Sequence, residues 1–478
     1  MLSSLPRTDP TARRYPWYVL AAVCVGMLTV SLDTGALNAA YPSLADAFGV
    51  PVAVISWVGI AYMITTVSSL AIYGRWADMV GRKRVFLLGY GVFIAGSLLA
   101  ALAQNFIWLL AARVVVGSGA AMLIANSVAI IGADFPANRR GTAIGAMETS
   151  VAAALALGPI VGGVLVDHLS WRAIFFVNWP SGLVGLALGA MILRDGERAP
   201  KRETFDFLGA ALFVAGMASF LIALTAGSTL GWDAPIVTVG LALALVLLPL
   251  FLAVEQRVPQ PMLPLTLFRS RVFAAANAAK MCGYFAMMAT LFTLPFYLER
   301  ALGFTPAQIG VGLTPIPIAL SAASLIMGPL SDRIGSQIIA PAGLAVCAVG
   351  CVLLTQVTPA TGYPAVFVGV LVLTFGMGSF ISPNDSAIVS AAPSDKLGVA
   401  GGILAMMRNL GMILGLAAAG TVLSARVAAY QADGLDASGA FVGAYHDFYL
   451  ITAAVVVVGV VASLVRGRTL PASGERPG

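Results

Sequence analysis

Charge is what this sequence has least of. Only 10% of its 478 residues are Asp, Glu, Lys or Arg, against roughly 25% in an ordinary soluble domain. Histidine occurs twice, at His168 and His446, each near the end of an apolar run, so no His-based metal or catalytic cluster can be built. The four cysteines, Cys24, Cys282, Cys347 and Cys351, lie inside apolar segments at spacings that fit neither a disulfide framework nor a zinc site. They are expected to act as small packing residues. A Walker-type loop is missing, which argues against direct ATP use, and no nucleophile–His pairing supports an enzyme. The net charge of +6 is scattered between apolar spans rather than gathered in one solvated patch, so nucleic acid is not an expected partner.

What the chain has in abundance is apolar length. Hydrophobic residues make up 59% of it and the mean hydropathy is +0.93. At about 20 apolar residues per crossing, the sequence predicts an all-α membrane protein of fourteen spans: 17–40, 52–73, 85–103, 108–133, 141–165, 172–193, 207–227, 235–253, 272–296, 305–327, 336–356, 364–390, 398–425 and 446–465. The first run is too long for a signal-peptide core and lacks a small-residue cleavage site, so it counts as a helix; Arg13-Arg14 before it serves topology. On this count only Arg172, Arg300 and Arg426 fall on one side. Arg113, Lys280 and Arg408 fall within spans, and the rest of the 27 basic residues fall on the other side. That bias predicts both termini in the cytoplasm.

The chain also repeats. Gly74, Asp78 and Gly81 recur as Gly328, Asp332 and Gly335; Gly117, Gly119 and Ser127 recur as Gly376, Gly378 and Ser386; Gly141 with Gly158 recurs as Gly398 with Gly415. Shifts of 254, 259 and 257 residues imply two homologous halves. The expected division is a tail at 1–16, a six-helix bundle at 17–193, and a linker at 194–271 carrying two extra helices, 207–227 and 235–253. A second six-helix bundle at 272–465 and a tail at 466–478 complete it. Parallel halves with a midplane site between them are a known transporter arrangement.

These motifs carry a resemblance. GRWADMVGRKR from Gly74 resembles the loop signature of the major facilitator superfamily, RVVVGSGAA from Arg113 its fourth-helix motif, and LGPIVGG, with Gly158, Pro159, Gly162 and Gly163, the fifth-helix motif of its exporters. SLDTGALNAAYP at Ser31 to Pro42, WRAIFFVNWP at Trp171 to Pro180, the Gly231-Trp232 pair and Glu255 to Phe273 look like the fourteen-helix drug–proton antiporters. Val116 departs from a frequent Gln, and Ala173 from a frequent Trp. The resemblance implies the major facilitator fold, a monomer in the bacterial cytoplasmic membrane, and no cofactor beyond a proton gradient as energy source.

Candidate residues follow from depth and charge. Asp78, between Gly74 and Gly81 and followed by Arg82 and Lys83, is read as lying in a tight cytoplasmic turn. There it could accept helix N-terminal amides and latch the halves, with Asp332 as its repeat; a plain positive-inside anchor is the alternative. Asp33 should lie about 12 Å deep and Arg113 about 8 Å from the same face. Contact would favour the ionised carboxylate and separation the protonated one, a proton switch, unless the pair is static. The resemblance associates the same two positions with coupling and substrate contact. Lys280 and Asp385 should share a depth of about 12–14 Å from the opposite face and are expected to pair. Glu148 has no basic residue at i±3 or i±4 in its helix. Desolvation should act on it unopposed, which makes it the preferred carboxyl for taking up and releasing a proton, unless it stays neutral and hydrogen-bonded.

Asn38, Asn126, Lys280, Tyr284, Asn384, Arg408 and Asn409 are candidate cavity residues, although Tyr284 could be a packing group and Arg408 a helix brace. The glycine–proline cluster at Gly158 to Gly163 is expected to give close helix contact and a bend where the halves meet. The expected partners are a small-molecule substrate, protons and the lipid bilayer. The expected function is export of amphipathic, cationic drugs or dyes in exchange for protons. The alternatives are a dedicated exporter of one metabolite, antibiotic or lipid, and a non-transporting membrane sensor or assembly factor.

Overall fold

In a computed structural model the described residues form fourteen helical spans long and apolar enough to cross a membrane. The structure describes residues 10–194 and 206–465, except 51, 56, 259, 260, 262 and 305. In chain order the helices are α1 (Pro10–Phe48), α2 (Trp57–Val80), α3 (Arg82–Ala101), α4 (Phe106–Asp134), α5 (Arg140–His168), α6 (Asn178–Ile192), α7 (Phe207–Leu230) and α8 (Pro235–Glu255). They continue with α9 (Arg271–Arg300), α10 (Pro315–Ile334), α11 (Ser336–Leu354), α12 (Gly362–Ala391), α13 (Leu397–Ala432) and α14 (Ala437–Val465). Most of the two expected tails and the start of the linker, with Arg7, Arg198, Lys201, Arg202, Arg466, Arg468 and Arg476, lie outside the described residues.

Several helices outrun the apolar stretches that announce them. α1 reaches Phe48 instead of ending at 40, and α13 reaches Ala432 instead of 425. Once nucleated, a helix gains one hydrogen bond per added residue, so polarity alone does not stop it. Glycines in the left-handed region do: Gly49 (φ +64°) follows α1 and Gly434 (φ +89°) follows α13. Two expected spans are interrupted. The run at 172–193 becomes a short helix, Ala173–Phe176, then Val177 and α6. The run at 305–327 becomes Pro306–Leu313, Thr314 and then α10, which starts at Pro315, a residue without the amide that an uninterrupted helix would use.

The repeat is visible in the packing. α1 pairs with α5 and α3 with α4 in the first bundle, as α9 pairs with α13 and α11 with α12 in the second. The inserted helices α7 and α8 pair with each other, and α7 also touches α2 and α13, so it lies along one seam between the bundles. Trp232, in the loop joining α7 and α8, donates from Nε1 to Thr421 Oγ1 of α13 at 2.9 Å. At the other end of this hairpin the Glu255 carboxylate, buried at the end of α8, accepts the Leu263 amide.

Close approach of helices depends on missing side chains. A Cβ at Gly158 would lie 2.5 Å from the Gly35 Cα, and one at Gly162 would lie 2.5 Å from the Ala36 carbonyl oxygen. The glycine–proline cluster therefore makes its close contact with α1, inside its own bundle and not at the junction of the halves. Gly163 meets nothing within 4 Å. α5 continues as one helix through Pro159. Since only backbone atoms face Gly158, Gly158→Ala must push α1 and α5 apart, at a cost of about 1–3 kcal/mol. Gly163→Ala should leave the thermal unfolding midpoint in detergent near the wild-type value, and Gly158→Ala should lower it.

Candidate functional site

Each bundle buries one acid–base pair between its first and fourth helices. Asp33 of α1 is 2% exposed and Arg113 of α4 is 0% exposed. Arg113 Nη1 donates to Asp33 Oδ2 at 2.9 Å. The other carboxylate oxygen accepts from Asn178 Nδ2 of α6 at 2.7 Å, and that amide also reaches Ser97 Oγ of α3 at 3.2 Å. Arg113 Nε donates to the Val58 carbonyl at 3.3 Å, and the guanidinium lies 4.4 Å from the Tyr62 ring centroid. Its Nη2 has no hydrogen-bond partner among the described residues. Val116, one turn further along α4 and fully buried, offers no acceptor where the family motif often has Gln.

The second bundle answers with signs exchanged. Lys280 of α9 donates from Nζ to both oxygens of Asp385 of α12, at 2.6 and 2.7 Å, with the side chains 1% and 0% exposed. The ammonium also sits 5.2 Å from the Tyr284 ring centroid. Both pairings expected from depth are thus present. Lys280→Ala and Asp385→Ala should each lose transport. The Lys280→Ala/Asp385→Ala double variant should unfold later than the singles' effects sum to, with a coupling of about 0.5–3 kcal/mol from thermal or denaturant unfolding.

At one end of the molecule two carboxylates cross from bundle to bundle. Asp78 Oδ1 accepts the Gly398 amide at 2.8 Å and Oδ2 the Val399 amide at 2.9 Å, both in the first turn of α13. Arg82 Nη2 braces it at 3.0 Å. The repeat reproduces this in reverse. Asp332 Oδ1 accepts the Gly141 amide at 3.0 Å, and its Oδ2 accepts the Thr142 amide at 2.9 Å and the Thr142 hydroxyl at 2.7 Å, in the first turn of α5. Four otherwise unpaired N-terminal amides find acceptors this way, and the negative charge faces the positive end of each helix.

Asp78 does not lie in a turn, as its flanking glycines suggest. It occupies the last turn of α2, and Gly81 (φ +112°) alone makes the corner. Asp332 stands likewise in α10, before Gly335 (φ +105°). Gly74 abuts Gly398, and Gly141 abuts Gly328, so the carboxylates can reach across. Among the described residues Arg82 forms an ion pair with Asp78 and Lys83 does not.

Glu148 and Arg408 occupy the space between the bundles, each half-buried. Both Glu148 and Arg408 are charge neighbours of Tyr284 and of Asp385. Three expected cavity amides donate to backbone carbonyls. Asn126 Nδ2 donates to the Met122 carbonyl and Asn409 Nδ2 to the Ala405 carbonyl of their own helices, while Asn384 Nδ2 donates to the Ala276 carbonyl of α9. Asn126 and Asn384 are 0% exposed, so they serve helix packing. The Asn38 side chain lies outside the described set. Sequence reasoning missed Asn178, although it stands in the WRAIFFVNWP motif. It also missed Thr142, and Ser382, whose hydroxyl donates to the Gly141 carbonyl. A lone Asn in an apolar run was the available signal for Asn178.

Comparison with known proteins agrees with this geometry. The family model of the Major Facilitator Superfamily matches residues 23–416 and 276–477. The chain is 31% identical to the riboflavin transporter RibZ of Clostridioides difficile over 94% of its own length and 97% of that protein. It is 32% identical to the methylenomycin A resistance protein of Streptomyces coelicolor over 84% of its own length and 85% of that protein. To the multidrug resistance protein Stp of Mycobacterium tuberculosis it is 31% identical, over 86% of its own length and 76% of that protein. The crystal structure of the human organic anion transporter MFSD10 (TETRAN) superposes with a TM-score of 0.64 at 17% identity, covering 94% of this chain and 100% of that one, a likeness of fold alone. Two bundles built on one repeat, latched to each other by their repeated carboxylates, and a family match over nearly the whole chain identify this multi-pass membrane protein as a transporter of the Major Facilitator Superfamily.

Proposed function

We propose that the protein is a proton-coupled exporter of the bacterial cytoplasmic membrane, with both termini inside the cell, and that it expels amphipathic compounds bearing a cationic group. The observation that carries this reading is the pair of buried ion pairs, Asp33–Arg113 and Lys280–Asp385, one per bundle, each joining the first helix of its bundle to a fourth helix that packs against the other bundle. A charge buried in the membrane interior costs at least a few kcal/mol, so such groups are kept for a task. With the latched end taken as cytoplasmic, this conformation faces outward. Protons from outside reach the acids, substrate is released, and the bundles rock; deprotonation inside restores the empty site. Glu148, which forms no ion pair among the described residues, is the carboxyl on which substrate and proton compete. Each net positive charge carried inward contributes about 2.3 kcal/mol per 100 mV.

Relatives named for methylenomycin, for multiple drugs and for riboflavin support small-molecule carriage, and the last makes a dedicated metabolite exporter the second reading. The test uses inside-out vesicles holding a preformed pH gradient, challenged with a panel of compounds including riboflavin. Collapse of the gradient by several unrelated compounds bearing a cationic group supports the first reading, and collapse by one compound alone the second. Silence of the whole panel would sink both.

A further inference from the structure

The charge ledger of the space between the bundles leaves two groups over. Arg113 cancels Asp33, and Lys280 cancels Asp385 at 2.6 Å. Glu148 and Arg408 form no ion pair among the described residues.

Their positions follow from the tight crossings below them. On α5, Gly141, Gly145 and Glu148 share one face, at the i, i+4, i+7 spacing. Gly141 abuts Gly328 of α10, and a Cβ at Gly145 would lie 2.7 Å from the Ser324 carbonyl oxygen of the same helix. Glu148 is the next residue on this face. On α13 the pattern is mirrored. A Cβ at Gly401 would lie 2.5 Å from the Ala125 carbonyl oxygen of α4, and Arg408 stands seven residues further on that face. One bundle thus presents a carboxylate and the other a guanidinium, each beyond such a crossing and both charge neighbours of Tyr284 and Asp385. Tyr284, whose ring also lies 5.2 Å from the Lys280 ammonium, is within the field of both Glu148 and Arg408. The Arg408 charge also reaches Tyr62 of the first bundle, whose ring already carries the Arg113 guanidinium.

A ligand with only a cationic group would satisfy Glu148 and put a like charge before Arg408. One with only an anionic group would do the reverse. Like-charge juxtaposition is how a site rejects a wrong partner. We propose that Glu148 and Arg408 are the two poles of the substrate site and select zwitterionic amphiphiles, with the cationic group at Glu148 and the anionic group at Arg408. This deepens the exporter reading and rests on its assignment of the space between the bundles as the substrate path.

The probes are tetramethylrhodamine, a zwitterion in its carboxylate form, and its methyl ester, a cation with the same ring system. Binding to purified protein in detergent is followed by fluorescence anisotropy without any proton gradient. Wild type should bind the zwitterion on the order of tenfold tighter than the ester, about 1.4 kcal/mol. Arg408→Gln should abolish that preference by weakening the zwitterion and relieving the repulsion of the ester, Arg408→Lys should retain it, and Glu148→Gln should weaken both probes. Equal affinities in wild type, no binding of the zwitterion, or an unchanged ratio in Arg408→Gln would each overturn the proposal. In proteoliposomes, failure of a pH gradient to drive the bound probe would strike the proton-coupled reading and leave the charge preference standing.

Discussion

Asp33→Ala should lower the stability of the protein by roughly 3–5 kcal/mol and abolish substrate transport. The effect comes less from the lost attraction than from what remains. Arg113 is completely buried, one of its nitrogens already has no partner, and without Asp33 its remaining hydrogen bond is to the Val58 carbonyl. Asn178 would lose its 2.7 Å acceptor at the same moment. Replacing both charges by apolar residues of similar volume should restore much of the stability, since a well-packed apolar pair commonly matches a buried ion pair. Asp33→Leu/Arg113→Met should therefore unfold near wild type and still fail to transport. Unfolding midpoints in detergent, read beside dye transport in vesicles, separate the two effects. A single variant as stable as the double would mean that Arg113 is not desolvated as the structure has it.

The second large effect concerns the latches. Hydrogen bonds to a charged acceptor contribute about 1.5–3 kcal/mol, and each latch carboxylate holds two amides of the opposite bundle. Asp78→Asn removes the charge and aims an amide NH2 at one of those donors. Each of Asp78→Asn and Asp332→Asn should shift the balance of open and closed states by about ten- to a hundredfold. The two together should shift it by nearly the product, because they sit on separate helix ends and share no partner. Spin-label distances between the α2–α3 and α10–α11 corners report this directly. The double variant should populate long distances that wild type lacks, and unchanged distributions would reduce both carboxylates to surface anchors.

How much of this was legible in the sequence depends on which variable was needed. Depth along a span was readable, because rise per residue is fixed. Hence Asp33 could be matched with Arg113 and Lys280 with Asp385 before any helix was placed. Rotation about the helix axis was not readable. Asn126 and Asn384 were expected to line a cavity and instead satisfy backbone carbonyls within the packing. The same blindness misplaced the partner of Gly158, which is Gly35 of its own bundle. Helix ends were misjudged where apolar composition and helical hydrogen bonding part company. Asp78 was read into a turn because the apolar run stops at 73, whereas α2 continues to Val80. The latches needed both errors corrected. Only a carboxylate in the last helical turn, on the face turned to α13, can reach the Gly398 and Val399 amides. The repeat itself, visible as Gly74–Asp78–Gly81 and Gly328–Asp332–Gly335, had already announced that whatever Asp78 does is done twice.

The central claim is that buried acids couple a proton gradient to movement of substrate through the space between the bundles. It is tested most directly with purified protein in liposomes, where an imposed pH gradient is the sole energy source and accumulation of a fluorescent substrate against its own gradient is followed. Wild type should accumulate the dye, and dissipating the gradient should release it. Asp33→Asn should permit at most downhill equilibration, without accumulation. Accumulation by Asp33→Asn at the wild-type level, or by wild type with no pH gradient, would contradict the account.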